Sequence, residues 1–121
     1  HTISHDVATG HWEEWGRLDR WYSKQFSYFL DKMKNTTDVN GSLLDNTLIL
    51  YGSACSTTHN ARNYPLILAG GSDLGVKHGS YTVFEEKDER MSNLLLSMLN
   101  KLDIEKESFS DSTGKLSANI I

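Results

Sequence analysis

His1 and His5 stand four residues apart, a spacing that puts both imidazoles on one face of a helical turn. Neutral imidazoles so placed can share one ion, so the pair is half of a zinc site. By spacing alone, two solvated histidines on an exposed terminus fit better. A third imidazole, His59, lies in the polar stretch that runs from Gly52 to Tyr64, where it could be a further metal ligand, a polar orienting group or a solvated side chain. Ser53-Ala54-Cys55-Ser56 opens that same stretch, at the place where open α/β sheets put their ligands. Cys55 is a nucleophile only with a base beside it. No His adjoins it in sequence, and a lone Cys more often packs as a small hydrophobe. Gly70-Gly71 comes after an apolar run as a phosphate-cradling loop would, yet no helix opens there and no GxGxxG or P-loop spacing is present. A tight turn is the better reading.

These residues need elements to hold them. Trp12, Trp15, Leu18, Tyr22, Phe26, Phe29 and Met33 recur at steps of three or four, which predicts one amphipathic helix over residues 8–34 with that stripe on the core. Acids lean toward its start and lysines toward its end, as the helix dipole favours. Asn35 to Ser42 reads as a polar loop. Thr47-Leu48-Ile49-Leu50-Tyr51 and Pro65-Leu66-Ile67-Leu68-Ala69 are short, continuously apolar and β-rich. Such runs predict neighbouring strands covered on both faces by helices. Tyr81 to Phe84 reads as a third, weaker strand. Met91, Leu94, Leu95, Met98, Leu99 and Leu102 predict a second helix over residues 88–102, with a turn-rich tail after it. The sum is an α/β fold, a partial three-layer α/β/α unit of about three strands and two main helices. Residues 1–121 then form a single partial domain.

The 121 residues fit one core, and 38% hydrophobic with 23% charged is a globular balance. One Cys excludes an internal disulfide framework or a Cys-rich zinc module. Twelve basic against sixteen acidic residues, with no basic cluster, argue against nucleic acid or an anionic membrane as partner. No apolar run approaches the ~20 residues of a membrane span. Asn35-Thr36-Thr37 and Asn40-Gly41-Ser42 are formal glycosylation sequons. The chain opens on His1 rather than Met, which reads as a processed chain or a piece of a longer gene product.

His1-x-x-Ser4-His5 resembles the motif that names the HXXSHXX family of uncharacterised bacterial proteins. Asp19-Arg20-Trp21, Phe29-Leu30, Leu44-Asp45-Asn46-Thr47, Tyr51-Gly52-Ser53, His59-Asn60, the run from Pro65 to Gly71, and Asp111-Ser112-Thr113-Gly114 look like family landmarks in the same order. The resemblance covers nearly the whole chain and implies the C-terminal part of an exported protein about three times longer, its export signal upstream. It also implies a distant similarity to the alkaline-phosphatase and sulfatase fold, in which a Ser-Asp-His after the strand contributes metal ligands. Ser53 matches that pattern; Ala54 and Cys55 stand where Asp and His would be expected.

The resemblance implies two functions. One is a metal-dependent hydrolase of phosphate or sulfate esters when full length, inactive as these 121 residues, with His1, His5 and His59 holding zinc or another divalent metal. The other is a non-catalytic exported binding or surface protein that keeps the fold, the reading that Ala54 and Cys55 favour. A sheet of so few strands leaves apolar edges open. A homodimer, formed by edge pairing or by exchange of the long Trp-rich helix, is therefore expected.

Overall fold

The computed structural model describes Ile3, residues 10–56, 59–85 and 89–116, and Ile121. These residues form a mixed α/β fold in the order α1 (Trp12–Asn35), β1 (Thr37–Asp38), β2 (Gly41–Ser42), β3 (Ile49–Gly52), β4 (Leu66–Ala69) and α2 (Met91–Lys101).

Glu13 and Glu14 occupy the first turn of α1, and Lys32 and Lys34 the last, each complementing the dipole. Side chains satisfy carbonyls that the helix end would orphan: Asn35 Nδ2 donates to Asp31 O at 2.7 Å and Thr36 Oγ1 to Lys32 O at 2.8 Å. The expected loop after α1 is a miniature hairpin instead. Asp38 Oδ1 accepts from Asn40 N at 2.7 Å, closing an Asx turn between β1 and β2. Ser42 Oγ and Leu44 N then both donate to Met33 O, which ties the hairpin back onto α1.

β3 and β4 pair antiparallel, with Ile49 opposite Ala69 and Gly52 opposite Leu66. The two apolar runs are thus neighbours in one sheet, as their composition predicts. Cover on both faces is not found. The residues of β3 are at most half-buried, Ile67 of β4 is exposed, and among the described residues each strand has only the other as sheet partner. The main ring contact of α1 with the sheet is Phe26 stacked on Tyr51, centroids 4.2 Å apart and planes 9° from parallel.

Two further expectations need correction. Residues 81–84 form no strand: Tyr81 is 92% exposed, and among the described residues nothing pairs with its backbone as a ladder. The stripe of α1 is also only partly inward. Trp15, Leu18, Phe26 and Met33 are half-buried, Trp12, Tyr22 and Phe29 are exposed, and no residue of α1 is fully buried. The turn of the helix that meets β3 is narrower than the apolar arc.

The tightest packing lies elsewhere. Among the described residues Val76, Leu94 and Leu96 are the buried apolar side chains, Leu96 at 1% exposure, and Gly70 and Gly71 are buried as well. Gly70 and Gly71 both take left-handed φ, +72° and +71°. A Cβ on Gly70 would collide with the carbonyl oxygens of Thr47 and Leu44, so only glycine lets the chain turn there. Gly71 N donates to Leu44 O and Gly71 O accepts from Leu74 N and Val76 N, the hydrogen bonds of a tight turn.

α2 spans Met91–Lys101, inside the expected 88–102, and ends where Asp103 adopts φ +58° and Ile104 N reaches back to Leu99 O. Its buried face is partly polar: Ser92, Asn93 and Ser97 are as enclosed as the leucines. These polar groups hold the C-terminal segment. Asn93 Oδ1 accepts from Thr113 N, Ser97 Oγ accepts from Leu116 N, and Arg90 Nη1 donates to Asp111 O at 2.6 Å. No described helix is long and apolar enough to cross a membrane.

Candidate functional site

The antiparallel register sorts the polar groups to two opposite ends of the β3–β4 pair. Residues 53–56 and 59–63 lie at one end. Residues 44–48 and 70–78 gather at the other.

At the first end, Ser53 Oγ donates to Cys55 O at 2.6 Å and accepts from Cys55 N at 3.1 Å. The hydroxyl is committed to a local turn, which is poor preparation for nucleophilic attack. Cys55 is half-buried, in keeping with a packed thiol. Ser56 N donates to Asn60 O at 2.9 Å, closing the small loop that carries His59. His59 is exposed and held at φ +60°, a left-handed backbone that histidine tolerates better than most residues. His59 thus stands in the loop that follows the C-terminal end of β3. His1 and His5 lie outside the described residues, so of the three expected ligands the structure locates His59. Among the described residues, no three His, Cys, Asp or Glu side chains gather as a metal centre.

The other end is richer in polar contacts than its sequence suggests. Ser72 Oγ donates to Asp45 Oδ1 at 2.6 Å, and Asp73 N to Asp45 O at 3.0 Å. Asn46 Nδ2 reaches Asn40 O, Ser42 O and Asp73 Oδ2, tying the β1–β2 hairpin to the turn after β4. His78 Nε2 lies 2.9 Å from Gly70 O. Leu44, Asp45, Leu68, Gly70, Ser72 and His78 border an open depression of about 250 Å³. Each carboxylate here already accepts from a neighbour in the fold, and the arrangement reads as a brace that holds the double-glycine turn. The adjacency of Asp45-Asn46 to an apolar run was the available signal; the partners Ser72 and Asp73, 27 residues on, were not.

One carboxyl is displaced from its ordinary range. Asp111 is held low, first by the Ser92 hydroxyl beside it and less by the Arg90 guanidinium 3.4 Å away. Ser92 Oγ itself is buried without a partner at full hydrogen-bond geometry, so its influence on Asp111 is that of a nearby dipole. Asp111 is exposed, and its role is to fasten residues 109–116 to the start of α2.

No family model, curated protein or solved structure matches the chain.

Proposed function

We propose that these residues are the C-terminal part of an exported, alkaline-phosphatase-like protein of the HXXSHXX-motif family, a metal-dependent hydrolase of phosphate or sulfate esters when full length. In that protein the β3–β4 pair belongs to a larger sheet in a three-layer α/β/α unit. His1, His5 and His59 supply imidazoles to zinc or a similar divalent ion, which polarises the ester oxygen. The nucleophile lies upstream, so the 121 residues are not catalytic alone. The observation that carries this reading is the place of His59, an exposed residue in the loop that follows β3. Among the described residues neither strand of the pair has a second partner, which adds support, since such edges invite further strands. The homodimer expected from the sequence is part of the proposal for this chain.

A specific observation favours a second reading, a non-catalytic exported binding or surface protein. Ala54 and Cys55 provide no carboxylate or imidazole at the strand end, and the Ser53 hydroxyl is consumed by its own turn.

Zinc titration by calorimetry on the chain, alongside His5→Ala and His59→Ala, tests the ligand set. Saturable binding lost in both variants is expected. Hydrolysis of 4-nitrophenyl phosphate or sulfate by the full-length protein, abolished by chelator, would establish the enzyme. Absence of both leaves the binding protein.

A further inference from the structure

Helix α1 carries a second apolar stripe beside the one that meets β3. Leu18, Trp21, Gln25 and Tyr28 succeed one another at steps of three, four and three, the spacing of paired-helix core positions, with Tyr22 and Phe29 along one border. Trp21 is 54% and Tyr28 60% exposed, and Tyr22 and Phe29 are exposed as well. Phe26 and Met33, which face β3 and the hairpin, lie a little over a quarter-turn away at about 100° per residue. Leu18 is half-buried at the start of the stripe, and among the described residues the ring contacts of Trp21 and Tyr28 are local to the helix: Trp21 edge-on to Tyr22 at 5.1 Å and Lys32 Nζ 5.4 Å over Tyr28. Monomeric proteins rarely leave four such aromatic side chains clustered in water, here with Gln25 among them.

We infer that this stripe pairs with the same stripe of a second copy, the two α1 helices running antiparallel across a two-fold axis. The flanking charges select the orientation. When Leu18 packs on the copy's Tyr28 and Trp21 on the copy's Gln25, the border residues Arg17 and Asp31 fall opposite each other, once on each side of the axis. In a parallel pair the same border would set Arg17 against Tyr22 and Lys24 against Phe29, with no opposite charge met. Arg17 is available for this exchange, because its present partner Glu13, 3.5 Å away, forms a wholly exposed pair of the weakest kind. Lys24 meets its own copy at the axis. There its stem can lie along the aromatic border while the ammonium stays in water.

The area is sufficient. Four half-exposed aromatics at about 150–250 Å² each contribute roughly 400 Å² per copy. With Leu18, Gln25 and the Arg17 and Lys24 stems, the total for two copies passes the ~1,000 Å² of a specific interface. The interface is isologous and closes on itself, so a dimer forms and no fibre.

This assignment rests on the homodimer and not on the hydrolase reading, and the two can fail separately. Light scattering of the chain should give a dimer at micromolar concentration. Trp21→Glu, at a side chain already half in water, should leave helical circular dichroism unchanged and raise the dissociation constant by about a hundredfold or more. Asp31→Arg should weaken the dimer several-fold, and Arg17→Asp with Asp31→Arg should restore it. In a Cys55→Ser background, Lys24→Cys should form a disulfide across the axis. A monomer, or a dimer indifferent to Trp21→Glu, overturns the surface; a dimer sensitive to Trp21→Glu in which Lys24→Cys does not cross-link overturns the antiparallel pairing.

Discussion

Asn93 grips Thr113 at both ends of its amide: Nδ2 donates to Thr113 Oγ1 at 3.2 Å, and Oδ1 accepts from Thr113 N at 2.9 Å. The same Nδ2 also donates to Glu89 Oε1 at 2.7 Å, so this side chain, 4% exposed, joins three segments. Removing it breaks all three hydrogen bonds of a buried amide at once. Asn93→Ala should therefore cost about 2–3 kcal/mol in urea unfolding, against about 1 kcal/mol or less for Thr113→Val, which loses one side-chain bond and keeps the backbone one. Equal costs for the two would refute the grip as described.

The double-glycine turn gives a second test. Gly70→Ala meets two backbone oxygens that cannot move away and a φ that alanine resists, so a loss of about 2 kcal/mol or more is expected. Gly16 lies within α1 with open space around its Cβ position, and Gly16→Ala should stabilise by about 0.5–1 kcal/mol. Thermal unfolding of both variants should move in opposite directions.

Asp111 makes stability depend on acid. Its folded pKa lies below the unfolded one, so its contribution is present above the ordinary carboxylate range near about 4 and is lost as pH falls through the folded value. Wild type and Asp111→Asn should converge in stability as the pH drops below that range and differ above it. Parallel pH profiles for the two would contradict the assignment.

Phe26 on Tyr51 predicts a local effect. Phe26→Ala removes a half-buried ring and its stacking contact, about 1–3 kcal/mol, and should speed hydrogen exchange in residues 49–52 more than in α2.

Elements were legible in the sequence where one residue type carried its own geometry. Alternation of three and four marked α1 and α2 to within a few residues, and two dense β-branched and leucine runs marked β3 and β4. Burial was less legible, because it depends on partners. Apolar runs promised two-sided cover, but Ile67 faces water, because composition records the preference of a strand and not what lies over it. Tyr81-Thr82-Val83-Phe84 has strand composition and, among the described residues, no neighbour to pair with, and a strand exists only as a pair. At the candidate site, His59 was legible as a loop histidine. The Asp45–Ser72 brace and the Asn93 grip were not, since each joins residues 20 or more positions apart through side chains common in any polar stretch. Ser92, Asn93 and Ser97 on the face of a leucine-rich helix were the one hint, small polar residues where an apolar core would be expected.

That grip also has a timetable. Thr113 comes 20 residues after Asn93, and Leu116 comes 19 after Ser97. At about 5–20 residues per second, a ribosome leaves roughly 1–4 s between making the acceptors and making the segment that occupies them. During that interval α2 can form, but Asn93 and Ser97 on its polar face stay hydrated. The completed helix must therefore wait, open on one side, for chain that has yet to be synthesised. A stalled or slowed ribosome in that stretch would lengthen the time for which Asn93 and Ser97 lack the backbone donors of Thr113 and Leu116.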